Sequence, residues 1–337
     1  MQSLATKYRP KDWQSIEGQD SIIKILSKQL ALRQFKNSYL FCGASGCGKT
    51  TTARIFAEEI NNHIGSPIEI DGASNNGVDN VKEIIKAASE RSIDSEYKIY
   101  IIDECHMLTT AAWNALLKCI EEPPTYTIFI FCTTDPQKVP ATIINRCMRF
   151  EFSRLTTSQI YSRLIYICEQ EGFSNYEETV EYVSKISKGQ MRDAIANIEK
   201  IAAYDTDLCI QNAFKALGDY SYDVFFELIN GLIDGSETHV MEFFDKIYNS
   251  GIDLKLFVDQ FLTFCLNVNK AILLDISVTQ IPNSYIEKVQ SSTNFANASS
   301  YYNYVIDKLL LLKNMLKTDS SPRSTVEVVL LQICRCV

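Results

Sequence analysis

The segment Gly43-Ala44-Ser45-Gly46-Cys47-Gly48-Lys49-Thr50 limits the possible folds more than any other feature of this sequence. It has the form Gly-x4-Gly-Lys-Thr and lies between an apolar run, Tyr39–Cys42, and a helical pattern over Thr51–Asn61. Glycines let the backbone curl so that consecutive N–H groups point at phosphate oxygens, beside the positive end of a helix dipole. In this setting Lys49 would reach the β- and γ-phosphates and Thr50 would bind Mg²⁺. The segment therefore predicts a nucleotide-binding strand–loop–helix unit, the alternative being a glycine-rich turn before a helix.

The first 155 residues alternate between short β-rich runs and helical patterns, which predicts a wound α/β domain with a parallel sheet. Several runs are continuously apolar, as expected for strands whose two faces are both covered by helices. Helical patterns lie between the runs, and in one of them Ile22, Ile25 and Leu26 would share a face. The five predicted strands are Tyr39–Cys42, Pro67–Ile70, Lys98–Ile102, Thr127–Cys132 and Met148–Phe152.

After about Arg154 only helical patterns remain, short ones broken at Gly172 and Gly189 and longer amphipathic ones from Gly218 onward. We therefore expect three domains, with boundaries at 1–154, 155–217 and 218–337. The broad apolar stripes of the last region fit either a domain core or an oligomerisation surface, and periodicity does not choose between them. The stripes comprise Phe225, Leu228, Ile229 and Leu232, then Val305, Leu309, Leu312 and Leu316, then Val326, Val329, Leu330 and Ile333.

Two acids, Asp103 and Glu104, directly follow the apolar run that ends at Ile102. A buried strand delivers such groups to the ligand crevice at its carboxyl end. Asp103 would join the Mg²⁺ shell, and Glu104 would orient and deprotonate an attacking water. Adjacent acids after a strand are also common in solvated loops. Together with the upstream phosphate loop, however, they favour a nucleoside triphosphatase, with ATP or GTP still open.

Phosphoryl transfer also uses positive charge on the γ-phosphate, often from an arginine in the same or a neighbouring subunit. Arg146 lies just before the last predicted strand, and Arg192 lies at the start of a later helix. From the residues alone, a surface salt bridge is the favoured role for both arginines, and a catalytic role is the alternative. Thr134 ends the fourth predicted strand and could place a hydroxyl near the γ-phosphate, or cap a turn.

Composition limits the partners and the cell compartment. The net charge of −8 comes from 33 basic and 41 acidic residues and, taken alone, argues against a nucleic-acid-binding chain. The excess of acidic residues is confined to the C-terminal part of the chain. Residues 1–160 contain 18 basic and 18 acidic residues, whereas residues 161–337 contain 15 basic and 23 acidic ones. The N-terminus has no signal-like segment and no run of apolar residues is long enough to span a bilayer. The eleven cysteines include no Cys-x-x-Cys pair, so we expect reduced, buried thiols in a cytoplasmic protein.

A series of motifs in order along the chain resembles the motor subunit of the sliding-clamp loader, the bacterial DNA polymerase III gamma/tau type, within the AAA+ ATPases. The resemblance covers essentially the whole chain and is strongest over residues 5–200. Besides the phosphate loop, its motifs are Lys7-Tyr8-Arg9-Pro10, Ile16-Glu17-Gly18-Gln19, Ile70-Asp71-Gly72-Ala73-Ser74-Asn75-Asn76-Gly77, Asp103-Glu104-Cys105-His106-Met107-Leu108, Glu121-Glu122-Pro123-Pro124, Thr133-Thr134-Asp135-Pro136-Gln137-Lys138, Asn145-Arg146-Cys147 and Gly189-Gln190-Met191-Arg192-Asp193-Ala194.

The resemblance implies a role for each matching residue and makes the nucleotide ATP. Residues 1–154 would form the ATPase domain, 155–217 a helical lid and 218–337 a collar that joins subunits in a pentameric spiral. The activity would be to open a ring-shaped clamp, fit it over primer–template DNA and release both when ATP is hydrolysed. The adenine pocket would be lined by Tyr8, Arg9 and the segment Ile16–Gln19, including Ile16 and Gly18, and Thr51 would join the phosphate site. Thr134 would be the sensor 1 residue and Arg192 the sensor 2 arginine. Arg146 would be the arginine finger that enters the ATP site of a neighbouring subunit.

Three departures from the family pattern change these expectations. The short segment Asn61–Ser66 stands where gamma/tau subunits usually carry a four-cysteine zinc module, so we expect no zinc site. Asn145 replaces the usual serine before Arg146, which could alter the position of the finger. Basic residues of some relatives are absent at Asn75–Gly77, so Lys82, Lys86 and Lys118 become the candidate DNA contacts, the alternative being a solvated face. A compact chain without zinc fits a bacteriophage-encoded or divergent bacterial protein.

Two other functions compete with this interpretation. A different AAA+ machine, such as a Holliday-junction helicase or a protein remodeller, would need substrate loops or a winged helix, and residues 155–337 show neither pattern. A non-hydrolysing structural subunit of the same assembly would be free to lose Lys49, Thr50, Asp103 and Glu104, all of which are present.

Overall fold

The structure is a computed structural model that describes residues 2–92, 94–274 and 279–335. The chain forms two compact units. The first comprises residues 1–167 and 187–196, and the second comprises residues 168–186 and 197–337. The three domains predicted from the sequence stay a prediction.

A five-stranded parallel sheet in the order β2-β3-β4-β1-β5 forms the centre of the first unit. All five predicted strands are confirmed, with ends shifted by at most one residue. The central strands are almost wholly buried, whereas the edge strand β2 is mostly exposed, and for this reason the central strands are the continuously apolar runs. The strands are β1 Ser38–Gly43, β2 Ile68–Asp71, β3 Lys98–Asp103, β4 Thr127–Thr133 and β5 Met148–Phe152.

Successive residues of each central strand point to opposite faces of the sheet, and helices cover both faces. On one face Leu40, Tyr100 and Phe129 join a core with Trp113 and Leu116 from a helix. The opposite face has its own apolar core: Tyr39, Phe41, Ile101 and Ile130 pack there with helix residues Leu26, Phe56 and Ile60. Ile22 and Leu26 are buried as predicted, but the predicted partner Ile25 is 43% exposed, so the apolar face of that helix is narrower than expected.

Sixteen α-helices are found in the described residues, and they surround the sheet and build the second unit. They are α1 Leu4–Lys7, α2 Asp20–Leu32, α3 Lys49–Ile60, α4 Val78–Ala88, α5 Thr110–Glu121, α6 Ala141–Ile144, α7 Thr157–Glu171, α8 Glu177–Ile186, α9 Met191–Tyr204, α10 Ile210–Leu217, α11 Tyr222–Ile233, α12 Glu237–Asn249, α13 Leu254–Leu273, α14 Ile286–Thr293, α15 Ala298–Met315 and α16 Pro322–Cys334. Short 3-10 turns occupy Trp13–Ser15, Cys105–Met107, Pro136–Lys138 and Asn283–Tyr285.

The second unit is helical, and the three apolar stripes predicted for its helices are buried. An aromatic cluster fills its centre, in which Tyr222 contacts Tyr182, Phe214 and Phe264. The Tyr182 hydroxyl donates to Asp219 Oδ2 at 2.7 Å, and the Gln260 amide donates to Asp219 Oδ1 at 2.8 Å. Both oxygens of this carboxylate are therefore hydrogen-bonded to side chains.

Among the described residues, one helix, α13, is long and apolar enough to cross a membrane by length and composition alone. Its most apolar stretch has a mean hydropathy of 1.2, and half of that stretch is buried. Its buried residues include Phe257, Phe261 and Phe264 of the aromatic cluster, which is the pattern of a core helix. The ten cysteines that the structure describes are free, and all but Cys147 and Cys209 are buried; Cys336 lies outside the described residues.

Candidate nucleotide site

The phosphate loop, Gly43–Thr50, connects β1 to α3 at the carboxyl edge of the sheet. Two constraints favour glycine at position 43: its φ is +154°, and a Cβ atom there would lie only 2.6 Å from the Phe152 carbonyl oxygen. Gly48 has a φ of +102° and immediately precedes the first residue of α3. The N–H groups at the start of this helix lack intrahelical partners and are available to an anion.

Lys49 is the first residue of α3 and is 5% exposed. Its ammonium donates hydrogen bonds of 2.8 Å to the carbonyl oxygens of Gly43 and Ala44. The side chain is thus folded back over the loop, so that its positive charge lies among the backbone groups that would surround a phosphate.

Asp103 is the last residue of β3, the strand that lies two positions from β1 in the sheet, and Glu104 follows it directly. The Thr50 hydroxyl donates to Asp103 Oδ2 at 2.8 Å, and the Glu104 N–H donates to Asp103 Oδ1 at 2.9 Å. A hydroxyl and a carboxylate in contact supply the hard oxygen ligands that Mg²⁺ prefers. The two predicted metal-binding residues are therefore brought together by the fold.

Glu104 adopts a left-handed backbone conformation with φ +45°, which costs on the order of 1 kcal/mol for a residue other than glycine. Its carboxylate Oε2 accepts a 2.9 Å hydrogen bond from the Thr134 hydroxyl at the end of β4. The strand order places β4 between β3 and β1, so the two acids, Thr134 and the phosphate loop belong to three adjacent strand ends.

Arg192 approaches the phosphate loop from the start of α9. The Met191 N–H donates to the Gly46 carbonyl at 3.1 Å, and a Cβ on Gly46 would lie 3.3 Å from the Arg192 nitrogen. Just before α9 the backbone at Gly189 lies close to Arg154, since a Cβ atom on Gly189 would be only 2.7 Å from Arg154 Cβ. The Arg192 side chain is exposed and makes no hydrogen bond or ion pair with any described residue.

Arg146, the second predicted catalytic arginine, contacts none of these groups. It is 40% exposed, donates to the Thr142 carbonyl at 2.7 Å and forms an ion pair with Glu121 at 2.6 Å. This arrangement does not bring Arg146 to the phosphate loop of its own chain.

The N-terminal segment predicted to line the adenine pocket is fixed by contacts that sequence reasoning missed. The Tyr8 carbonyl accepts a 2.8 Å hydrogen bond from Arg163, and the Tyr8 ring meets the Tyr166 ring edge to face at 6.3 Å. Arg9 and Ile16 are half-buried. Gly18 lies against the start of α7 and the residues before it, since a Cβ atom there would be 3.0 Å from a Leu155 methyl group and 3.2 Å from Gln159 Nε2. No pattern in the sequence indicates these contacts.

Gln19 is buried and joins three parts of the first unit. Its amide nitrogen donates to the Ser153 carbonyl at 2.8 Å and to the Cys47 carbonyl at 3.4 Å, and its amide oxygen accepts from the Ser153 N–H at 3.2 Å. The N-terminal segment, the phosphate loop and the end of β5 are therefore tied together by one side chain.

Two pKa shifts around the site have simple causes. Burial raises the pKa of the Cys47 thiol, so this loop cysteine stays protonated and uncharged near neutral pH. Hydrogen bonds from the Ser74 hydroxyl and the Ala73 N–H lower the pKa of Asp71. A lowered pKa means that Asp71 stabilises the folded loop above its ordinary pKa and ceases to do so as the pH falls through its folded value.

The candidate DNA contacts lie on α4 and α5, and all three lysines are exposed. Lys82 lies 3.1 Å from Asp79 on the same helix, as expected for a solvated face. Lys86 and Lys118 make no ion pair with any described residue. Within the described part of the chain, no three histidine, cysteine or acidic side chains are grouped so that they could hold a metal ion; the expected lack of a zinc site stays a prediction.

The fold and this site define the chain as an AAA+ ATPase by class. Among solved structures it is similar to the Holliday junction branch migration motor RuvB of Thermotoga maritima, with a TM-score of 0.53 and 20% identity over 67% of this chain and 79% of that one. A variant of the same motor matches with a TM-score of 0.54 and 19% identity over 88% and 98% of the two chains. At such identity the likeness shows the fold alone.

Sequence relatives place the chain within that class. DNA polymerase III subunit gamma of Buchnera aphidicola (Schizaphis graminum) is 31% identical over 98% of this chain and 97% of its own length. DNA polymerase III subunit tau of Bacillus subtilis is 32% identical over 99% of this chain. A family model described as DNA polymerase III, delta subunit, matches residues 66–156. The chain belongs to the gamma/tau family of DNA polymerase III subunits.

The relatives differ in how much of their length the chain covers. It spans 63% of the Bacillus subtilis tau subunit and 48% of the Mycoplasma genitalium gamma/tau subunit. What those longer proteins do as a whole is therefore a matter of proposal for this chain.

Proposed function

We propose that this protein is an ATP-hydrolysing subunit of a clamp loader, which loads a sliding clamp onto primer–template DNA during replication. The observation that carries the proposal is the meeting of three strand ends, where Thr50 contacts Asp103 and Thr134 contacts Glu104. Membership of the gamma/tau family supports the choice of clamp loading over the other activities of the AAA+ class.

ATP would bind with its phosphates in the loop Gly43–Thr50, against the first turn of α3 that includes Thr51. Tyr8, Arg9, Ile16 and Gly18 would surround the adenine. Thr50 and Asp103 would hold Mg²⁺, whose charge offsets that of the phosphates.

Hydrolysis would use groups that stabilise negative charge and one that accepts a proton. Glu104 would take a proton from the attacking water, and Thr134 would keep the Glu104 carboxylate in place. Lys49 and Arg192 would neutralise charge on the γ-phosphate within the same chain. Each of these side chains lies on the carboxyl edge of the sheet or at the start of α9.

Arg146 would act on the ATP of a neighbouring subunit. Among the described residues, it makes no contact with the phosphate loop of its own chain, and its guanidinium lies at the surface beside Glu121. An exposed arginine on a surface ion pair can exchange that partner for a phosphate of a second chain at little cost, because such pairs contribute about 0–1 kcal/mol.

Assembly would involve the helical part of the chain. We retain the division into an ATPase domain (1–154), a lid (155–217) and a collar (218–337) as a proposal, with the collar joining subunits into a pentameric spiral. Lys82, Lys86 and Lys118 would contribute contacts to DNA in such a spiral, and the protein would act in the cytoplasm.

The test is an ATPase assay of the full chain together with the subunits that co-purify with it. Primed DNA and the cognate clamp should together raise the turnover, and a Lys49→Ala variant supplies the baseline without hydrolysis. A rate that does not rise when both are added would refute clamp loading. A Lys49→Ala variant that hydrolyses like the wild type would remove the phosphate loop from the reaction.

A further inference from the structure

His106 lies beside Glu104, the proposed general base. Its ring is only 11% exposed, and its Nδ1 atom lies 3.3 Å from Glu104 Oε2. The same nitrogen lies 3.2 Å from the hydroxyl oxygen of Thr133, the last residue of β4. His106 therefore bridges the turn that carries Glu104 and the strand end next to it.

The contacts indicate which ring nitrogen carries the proton. Glu104 Oε2 belongs to a carboxylate, which only accepts hydrogen bonds, and a lone pair on His106 Nδ1 at 3.3 Å would repel it. An Nδ1–H group instead donates to the Thr133 oxygen at 3.2 Å and presents its positive side to Glu104 Oε2. We therefore assign the proton to Nδ1 from the hydrogen-bond network.

Thr133 gives His106 a fixed point of attachment. Its side chain is fully buried, and its hydroxyl oxygen also accepts a 3.0 Å hydrogen bond from the Asp135 N–H. The turn after Glu104 is held as well, since the Met107 N–H donates to the Glu104 carbonyl and Cys105 is buried. His106 thus connects the buried end of β4 to the Glu104 side chain.

The two oxygens of Glu104 are consequently not equivalent. Oε2 is contacted by both the Thr134 hydroxyl and His106. Oε1 accepts no hydrogen bond from any residue that the structure describes. The hydrogen bond from Thr134 and the electrostatic contact with His106 act on the same oxygen, so they restrict the rotation of the carboxylate and leave the other oxygen open to a water molecule.

We propose that His106 is a positioning residue for ATP hydrolysis, which holds Glu104 Oε2 through its Nδ1–H so that Oε1 faces the attacking water. The proposal rests on the proposed function, because it assumes that Glu104 is the general base. It assigns His106 no contact with ATP and no proton transfer of its own.

Three substitutions test the role of the Nδ1 position. In His106→Asn the amide nitrogen can occupy the place of Nδ1, in His106→Gln it reaches toward Nε2, and His106→Ala removes both. In the full chain with its co-purifying subunits, we expect Ala and Gln to lower kcat by about tenfold to a hundredfold with KM for ATP within about twofold. Asn should stay within about threefold of the wild type.

A double substitution separates positioning from a merely structural role. If His106 acts through Glu104, adding His106→Ala to a Glu104→Gln variant should cause no further loss of turnover. ATP affinity, measured by titration, should be unchanged in both single variants, which also shows that they fold. Met107→Ala serves as the control, because Met107 is in the same turn but is exposed and makes no polar side-chain contact.

The outcomes distinguish this inference from the proposed function. A Glu104→Gln variant with wild-type turnover would overturn the proposed general base and this inference with it. If Glu104→Gln is inactive but His106→Ala turns over normally or faster, only the role of His106 is wrong. The same holds if Asn fails as badly as Ala, or if the two effects add in the double variant.

Discussion

Two threonines each place one hydroxyl on one of two adjacent acids. Thr50 contacts Asp103, and Thr134 contacts Glu104, although Thr50 belongs to α3, the two acids to the end of β3 and Thr134 to the end of β4. The chemistry assigned to the acids differs, since Asp103 would hold Mg²⁺ and Glu104 would accept a proton. The hydroxyl partners therefore offer a way to test the two roles separately.

Replacing Thr50 by alanine should weaken Mg²⁺-dependent ATP binding by about tenfold, because a metal ligand and a charge-assisted hydrogen bond are lost together. Thr50→Ser keeps the hydroxyl and should bind within about twofold of the wild type. Titration of ATP with Mg²⁺ and with a chelator measures the effect, and in the chelator all three proteins should bind alike. Undiminished binding by Thr50→Ala in Mg²⁺ would exclude Thr50 from the metal site.

Replacing Arg146 by alanine in every subunit should leave ATP binding intact and lower turnover by about 10³-fold, the usual effect of losing an arginine finger. Arg149→Ala is the matched control, since Arg149 is similarly exposed and pairs with Glu151 on its own strand. Steady-state ATPase and ATP titration of the assembled protein give the two quantities. Normal hydrolysis by an assembly without any Arg146 would rule out action between subunits.

At the scale of elements, the site depends on segments that are distant in sequence. Gln19 belongs to the N-terminal segment, yet it hydrogen-bonds to Ser153 at the end of β5 and to Cys47 in the phosphate loop. Because the buried Gln19 amide both donates and accepts hydrogen bonds, it fixes the N-terminal segment, the phosphate loop and the end of β5 relative to one another.

Gln19→Glu should destabilise the first unit by about 1–3 kcal/mol, because a carboxylate would face two carbonyl oxygens and have no hydrogen to donate. ATP affinity should fall as well, since the phosphate loop loses a support. Gln14→Glu makes the same chemical change at an exposed position of the same segment and should alter neither property. Thermal unfolding and ATP titration are the measurements, and a Gln19→Glu protein as stable as the wild type would contradict the assigned contacts.

The elements were largely predictable from the sequence, and the side-chain partners were not. All five strands were predicted from short β-rich runs, and the three central ones were the clearest, because strands covered on both faces need apolar residues at nearly every position. The phosphate loop was recognisable because its function requires glycines, lysine and threonine at fixed spacing. The contacts of Gln19, His106 and Arg146 depend on rotamers and on which strand ends are neighbours, and local spacing contains neither. Ile25 shows the same limit, since an apolar residue at a helical spacing is exposed where no neighbour covers it.

For the whole molecule, the distribution of charge decides how DNA can be held. Residues 1–160 are neutral overall, and the acidic excess lies in residues 161–337. Of the three candidate lysines, Lys82 is already paired with Asp79. Binding would therefore depend on a few lysines repeated across several subunits, with no strongly basic surface on any one of them.

We expect the isolated chain to bind primed DNA weakly, with a dissociation constant no tighter than about 10⁻⁶ M at physiological salt. The assembly with its co-purifying subunits should bind more tightly, and its affinity should fall as salt is added. Fluorescence anisotropy of labelled primed DNA at two salt concentrations measures both. Tight, salt-insensitive binding by the single chain would contradict this account.

The position of β1 in the sheet has a consequence for how the protein is made. Its neighbours are β4 and β5, with Ser38 paired to Phe129 and Tyr39 to Met148. On the ribosome this apolar strand therefore emerges long before either partner has been synthesised, and the phosphate loop emerges with it. Until β5 is complete, the apolar strand lacks its neighbours on both sides. We therefore expect nucleotide binding to begin only late in translation, after the last strand has paired with the first.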